Sequence, residues 1–273
     1  MSQRDSTLAI DGDLLLERLS EGVCVLTLNR PAARNALSRA MIGALHRTIS
    51  HLAGEPSVAA IVLAAHGPVF SSGHDLKEMA AHRSDADGGR AFFADTMGAC
   101  SAMMQAIVAC PKPVIAAVEG AATAAGCQLV ATCDLAVAAP AASFATPGVN
   151  IGLFCSTPMV ALSRAIPAKR AMEMLLLGEP LTAERAAEYG LVNRVVEPGE
   201  ARAVAVALAV AIASKSKMTV GIGKPAFYRQ IDMPLAEAYA YASQVMVENM
   251  LRGDAGEGIC AFLEKRPPAW KDD

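Results

Sequence analysis

Two short loops hold the residues in this chain best suited to chemistry. At Gly73-His74 and again at Ala124-Ala125-Gly126, small residues stand between an apolar run and the start of a helical pattern. The first amides of a helix have no intrahelical acceptor and carry a partial positive charge. Two such helix starts converging on one point would hold an oxyanion, and small side chains would let a substrate carbonyl approach closely. Turns rich in Gly and Ala also join strands to helices with no chemical purpose, so the loops alone leave both possibilities open.

Other chemistry is thinly represented. The seven cysteines (24, 100, 110, 127, 133, 155 and 260) form no CxxC pair, and the five histidines show no ligand spacing. His46 and His51 lie on one helical stretch but would not share a face, so no metal site is expected. Cys155 and Ser156 are adjacent nucleophile candidates with no histidine nearby to activate either. Two small residues lining a pocket is the simpler reading of that pair. No Gly-x-Ser-x-Gly elbow points to a hydrolase of another kind.

The elements that must position these loops follow from hydrophobic patterning. Residues 13–28 read as two strands around a turn at Ser20-Glu21-Gly22, and Val23 to Leu28 is apolar on both faces, as in a strand covered on both sides. Ser38 is placed to cap a helix running to Leu52, with Met41, Ile42, Leu45, Ile49 and Leu52 on one stripe. Val58 to Ala64 reads as a central parallel strand, followed by a loop over 66–74. Asp75 with Glu78 predicts a capping box at the next helix start. A long helix over Ala91 to Ala109 stops at Cys110-Pro111-Lys112-Pro113. Val114 to Val118 then reads as a strand, 119–124 as a loop, Ala125 to Thr132 as a helix and Asp134 to Ala138 as a strand. Beyond Pro158 the pattern is mostly helical (158–165, 168–177, 182–189, 199–214, 217–230, 234–250 and 255–264), with a short strand within 191–196. Strands alternating with helices, then helices alone, predict an α/β core with a helical C-terminal part and no linker between independent domains.

Bulk properties set outer limits. A chain of 273 residues can bury a sizeable core as one unit. A net charge of -3 provides no basic field, which argues against nucleic acid and anionic membranes as partners. No uninterrupted apolar run reaches the roughly 18 residues of a membrane span. The N-terminus MSQRDSTLAI lacks both a secretory apolar core and an Arg-rich amphipathic stretch. A reducing intracellular setting is expected, cytoplasmic, with an organelle matrix left open.

Four segments together resemble the crotonase (enoyl-CoA hydratase/isomerase) superfamily. They are Leu28-Asn29-Arg30-Pro31 through Asn35-Ala36-Leu37, Phe70-Ser71-Ser72-Gly73-His74-Asp75-Leu76-Lys77-Glu78-Met79, Lys112-Pro113-Val114-Ile115-Ala116-Ala117-Val118 through Gly126-Cys127-Gln128, and Glu257-Gly258-Ile259 through Phe262-Leu263-Glu264-Lys265-Arg266. Their order and spacing span nearly the whole chain. The resemblance implies an α/β crotonase fold, a spiral of β-β-α turns. A core over 1–200 would carry the acyl-CoA site, and a helical region over 201–273, within the same structural unit, would be used in trimerisation. It also implies an acyl-CoA thioester as ligand, a homotrimer or dimer of trimers, and no bound cofactor beyond the coenzyme A of the substrate itself.

By the same resemblance the oxyanion donors are the backbone N–H groups of His74 and Ala125. Ala125 replaces a frequent glycine, which narrows the pocket while keeping the donor. Substrate binding falls to Arg34, Ala36 and Leu37 in one loop, to Ser72, Asp75, Leu76 and Lys77 in another, and to Phe262 and Lys265 near the C-terminus, often across a subunit boundary. Arg34 and Lys265 would meet phosphates, although each would serve equally as a solvated surface charge.

Two positions depart from the pattern. Where the hydratases carry glutamates, this chain has Gln128 and Gly148, and where some relatives carry an aspartate it has Ser156. Each general acid or base is typically worth ~10²–10⁴ in rate, so losing two predicts weak or altered hydration. Restoring carboxylates at 128 and 148 should revive it if the scaffold is otherwise competent. Three functions stay open: an enzyme of hydratase or isomerase descent that stabilises a thioester enolate, a decarboxylase of malonyl-type thioesters that needs no carboxylate base, and an acyl-CoA-binding protein without catalysis.

Overall fold

The computed structural model describes residues 6–10, as backbone, and 13–273. Residues 1–5, part of the N-terminus assessed above for a leader, lie outside the described residues, as do 11 and 12. Three antiparallel strands come first, β1 (Ser6–Ile10), β2 (Leu14–Arg18) and β3 (Val23–Leu28). Helix α1 (Arg39–Gly54) follows, started by the Ser38 hydroxyl, which accepts from the Met41 amide at 3.2 Å.

The backbone then makes three turns of a spiral, each with a longer strand, a short strand and helix. The first holds β4 (Ala60–Ala65), β5 (Val69–Ser71), α2 (Leu76–Ala81) and α3 (Arg90–Ala109). The second holds β6 (Val114–Val118), β7 (Ala121–Thr123) and α4 (Ala125–Thr132), and the third β8 (Leu135–Ala138), β9 (Ser143–Ala145), α5 (Pro158–Ala165) and α6 (Ala168–Leu177). Two-residue strands β10 (Leu181–Thr182) and β11 (Arg194–Val195) flank α7 (Ala183–Tyr189). Helices α8 (Ala201–Ala213), α9 (Lys217–Gln230), α10 (Leu235–Met250) and α11 (Gly253–Glu264) complete the chain.

The longer strands form one sheet in the order β1-β2-β3-β4-β6-β8-β11, parallel from β3 onward, and the short ones a second sheet in the order β10-β9-β7-β5. Every residue of β3 and β6 is buried, because the large sheet is covered on both faces. One face packs on α1, α3 and α4 through Leu26, Leu28, Leu45, Ile49, Met103 and Ile107. The other is covered by α8, whose fully buried Ala201, Ala205 and Ala209 have no side chain beyond Cβ and so let the helix lie close on Val25, Val62 and Ile115. The Glu119 carboxylate accepts from the amides of Gly199 and Ala201 at 3.0 and 2.8 Å and so starts that helix.

The stretches read as loops over 66–74 and 119–124 contain β5 and β7. Three residues are too few for an alternating pattern to register, so the small sheet had no signature in the sequence. The capping box is half formed. Asp75 accepts from the Lys77 and Glu78 amides at 3.1 and 3.3 Å, but Glu78 turns away to the Arg39 amide at 3.0 Å. Helix α3 is long and apolar enough to cross a membrane by length and composition, yet it lays Thr96, Cys100, Met103, Met104 and Ile107 into the core.

Candidate active site

The three parallel strands of the small sheet end side by side. His74 follows β5, Ala124 and Ala125 follow β7, and Thr146 to Gly148 follow β9. The carboxyl edge of a parallel sheet is where α/β folds bind ligands, because helix N-termini and loop amides collect there. Here α4 begins at the middle strand, so its unpaired first amides open onto that edge.

Close backbone approach brings the two predicted oxyanion loops together. A Cβ on Gly73 would lie 2.9 Å from Ala124 Cβ and 3.0 Å from the Ala125 nitrogen, and Gly73 sits at φ 85°, so glycine is required twice over. A Cβ on Gly126 would collide with the Ser71 carbonyl oxygen, so the first turn of α4 rests directly on β5. His74 is held by Leu37, whose amide donates to the Gly73 oxygen at 2.8 Å and whose oxygen accepts from Asp75 at 3.3 Å. Among the described residues, neither the His74 nor the Ala125 amide has an acceptor.

Ala124 adopts φ 50°, ψ −118°, a region that only glycine enters freely. Alanine in this segment therefore has its cost at 124, while Ala125 is an ordinary, buried first helical residue.

Asn35 was not among the expected site residues, yet it ties the site together. It is fully buried; its side chain accepts from the Arg30 amide at 2.8 Å and donates to the oxygens of His66 and Val69 at 2.9 and 2.7 Å. Ser71 links the same loop to the site, donating to the Asn35 oxygen at 2.9 Å while accepting from the Gly73 amide at 3.3 Å. An Asn that tolerates φ 49° just after a prolyl turn was the available signal.

The acid–base positions are both uncharged. Gln128 is 4 % exposed, and its Oε1 has no partner among the described residues. Gly148 is buried in a 3-10 turn over Pro147–Ile151. A Cβ there would sit 2.5 Å from the Leu153 oxygen and 2.8 Å from Cys155 Sγ, and the Leu153 amide already donates back to the Gly148 oxygen at 2.9 Å. The space where a side chain would begin is occupied by backbone. A glutamate at 148 would therefore have to displace the Leu153 carbonyl and the Cys155 thiol before its carboxylate could reach the site. Burial raises the Cys155 thiol above its ordinary value, with the Gly148 amide pulling the other way, and pushes Cys127 up to about 12. Neither is a thiolate nucleophile at neutral pH. Ser156 is exposed and bonds the Phe154 oxygen. Burial also holds the His74 imidazole below its ordinary range.

The other expected contacts divide into a rim and a frame. Arg34, Leu76 and Lys77 are exposed and Ser72 is half-buried, with its amide donating to the Arg34 oxygen at 3.0 Å. Ala36 and Leu37 turn their side chains into the protein, leaving only backbone to a ligand. Asp75 is engaged in capping α2 and in an ion pair with Arg30 at 2.8 Å. Phe262 is 83 % exposed on α11, which packs against α9 and α10, and Lys265 caps the end of that helix in a left-handed conformation.

Residues 18–273 match the family model for enoyl-CoA hydratase/isomerase. The mouse protein named enoyl-CoA hydratase domain-containing protein 3, mitochondrial, is 49% identical over 93% of this chain and 83% of its own length. The crystal structure of the human enoyl coenzyme A hydratase domain-containing protein 3 superimposes with a TM-score of 0.89 at 48% identity, over 94% of this chain and 100% of that one. An enoyl-CoA hydratase structure from Mycobacterium smegmatis gives a TM-score of 0.90 at 50% identity, over 94% and 98%. The spiral expected from the sequence is thus the fold of these hydratases. The cytoplasmic expectation is overturned by the relatives from mouse, rat and human, all named mitochondrial.

Proposed function

The chain belongs to the enoyl-CoA hydratase/isomerase family, and from that premise we propose that it acts on acyl-CoA thioesters by stabilising the thioester enolate, with hydration through paired carboxylates suppressed. The observation that carries this is the pairing of the free His74 and Ala125 amides across the Gly73 contact, beside two acid–base positions that hold no carboxylate. An oxyanion formed between the two amides gains from both donors and from the start of α4, each donor typically worth ~10²–10³ in rate. Gln128 can orient a water through its amide but cannot take its proton at neutral pH. Coenzyme A enters as part of the substrate, with Arg34 and Lys77 at the rim and Lys265 on α11 as the cations suited to its phosphates.

Hydration of crotonyl-CoA is the direct test. Turnover should fall at least ~10³-fold below that of a two-glutamate hydratase, while the thioester still binds. A rate equal to such an enzyme would overturn the proposal. The same features favour a second reaction, decarboxylation of a malonyl-type thioester. Breaking the bond between the α-carbon and the carboxylate releases CO₂ and leaves the electron pair as the enolate, so no protein base is needed at 128 or 148. Release of CO₂ from methylmalonyl-CoA would select it, and silence across several malonyl thioesters would remove it. Binding with every turnover assay silent would reduce the protein to an acyl-CoA binder.

A further inference from the structure

Lys265 follows α11 at φ 54°, in the left-handed region, and the chain reverses there. The Lys265 amide donates to the Phe262 oxygen at 3.2 Å and the Arg266 amide to the Ala261 oxygen at 3.0 Å, the paired bonds of a Schellman turn. Glycine is the usual residue at the left-handed position of that turn, because any Cβ is crowded there. A lysine at this point is strained, and such strain persists only where surrounding contacts over-determine it.

Those contacts come from residues 266–273, which run back along α11. Arg266 forks onto Glu257, Nη1 to Oε1 at 2.6 Å and Nη2 to Oε2 at 3.0 Å, and its Nε donates to Glu264 at 2.6 Å. Glu257 Oε1 also accepts from the Ala269 amide at 2.7 Å. Trp270 lies against Gly258, where a Cβ would stand 3.2 Å from its ring, and its Nε1 donates to the Ser214 oxygen at the end of α8 at 2.9 Å. The buried Asp254 carboxylate accepts from the Lys271 and Asp272 amides at 2.7 and 3.1 Å. Asp272 in turn accepts from the amide of Lys217, the first residue of α9, at 2.8 Å and pairs with its ammonium at 3.0 Å. One segment thus ties α11 to the junction of α8 and α9.

The two cations at the reversal are used differently. Arg266 is spent on Glu257 and Glu264, whereas the Lys265 side chain is exposed and has no partner among the described residues. A turn built for the fold alone would be better served by glycine at 265.

We propose that residues 266–273 are a positioning strap, which holds Lys265 in its left-handed turn so that the free ammonium is preset for the phosphates of coenzyme A. This rests on the acyl-CoA assignment above. Presetting a cation that would otherwise fray with the helix end removes an ordering cost from binding.

Calorimetric titration with butyryl-CoA and with S-butyryl-pantetheine, which lacks the phosphates, tests it. A chain cut back to Pro267, and Trp270→Ala in the full chain, should each bind butyryl-CoA about fivefold more weakly at an unchanged mass in light scattering, with S-butyryl-pantetheine affinity unaltered. Lys265→Gly should lose the same factor yet melt no earlier than the parent, and cutting the chain back in that background should weaken butyryl-CoA binding no further. In the unaltered protein, linkage requires the ligand to tighten the strap by the factor by which the strap tightens the ligand. The Ala269, Lys271 and Asp272 amides should therefore exchange with deuterium about fivefold more slowly at saturating butyryl-CoA. Undiminished butyryl-CoA affinity in the shortened chain, an equal loss for both thioesters, or exchange unmoved by the ligand would overturn the strap. A parent that binds no CoA ester would instead remove the acyl-CoA assignment on which the strap rests.

Discussion

Ala124 concentrates the backbone strain of the site. An L-residue at φ 50°, ψ −118° is held there only because the surroundings over-determine it, at a cost of about 1–3 kcal/mol. Most substitutions to glycine destabilise, but Ala124→Gly should raise stability by about 1 kcal/mol in urea unfolding. Gly148 poses the opposite problem. With the Leu153 oxygen 2.5 Å from any Cβ, Gly148→Ala should cost about 1–3 kcal/mol by overpacking, and Gly148→Glu should melt earlier without gaining hydratase activity. Gln128→Glu puts one carboxylate back at a position that already holds a side chain of that length, and crotonyl-CoA hydration should rise by ~10². The His74 imidazole adds a pH dependence. Its ordinary value is 6.5, and burial holds the folded value lower. Below 6.5 the unfolded chain takes up a proton that the folded chain refuses, so stability is lost as pH falls through that value toward the folded one. Urea midpoints between about pH 8 and about pH 5.5 should fall less in His74→Gln than in the parent.

At the scale of elements, one half-buried cluster fastens the C-terminal helices to the core. Lys224 on α9 donates to Asp134 at 2.6 Å and to the oxygens of Ile107 and Lys112 at 2.9 and 3.0 Å, while the Tyr228 hydroxyl meets the other Asp134 oxygen at 2.9 Å. Burial and the Asp134 charge push the Tyr228 phenol well above its usual range. Lys224→Met leaves the half-buried Asp134 carboxylate without its cation and should cost about 1–3 kcal/mol. Limited proteolysis should then cut first in α9 to α11, whereas an even loss of resistance along the chain would mean that the clip is not local. Nothing in the spacing of residues 134, 224 and 228 announces this contact, because a pairing across some ninety positions has no periodicity to read. The helices were legible for the converse reason. Ser38, the stripe from Met41 to Leu52 and the prolines at 111 and 113 are local signals for local structure. The apolar run of β3 and β6 likewise follows from cover on both faces. The small sheet was missed because β5, β7 and β9 are three residues each and take their pairing from the spiral. So the two loops of the site could be named from sequence, while the reason they meet could not. Their contact depends on Gly126 against Ser71 and Gly73 against Ala124, approaches between residues about fifty positions apart.

At the scale of the whole molecule, large apolar side chains stand exposed in two stretches. Helices α9 and α10 bury no residue fully, and Leu235, Leu251 and Phe262 are 75%, 75% and 83% exposed. A second apolar stretch runs over Ile151, Leu153 and Phe154 and on to Met172, Leu176 and Leu177 of α6. Patches of this kind mark association surfaces, since leaving them wet forfeits the burial free energy of each side chain. Two such stretches on one chain would suit a closed ring, in which one face of each copy meets the other face of the next, as in the trimer or dimer of trimers that the family resemblance implies. Light scattering at micromolar concentration should therefore give a mass three or six times the 28.3 kDa chain. A charge placed in either face, Leu176→Glu or Leu251→Glu, should shift the protein toward the single-chain mass, and a parent that already runs at that mass would overturn the association. Activity should follow the mass. Phe262 lies on α11 and Lys265 at its end, α11 packs with α9 and α10, and the family resemblance implies that such residues reach the thioester of a neighbouring copy. The dissociated variants should accordingly lose affinity for CoA esters even though His74, Ala125 and the small sheet are untouched. An unchanged affinity in a stable monomer would instead assign the whole ligand site to one chain.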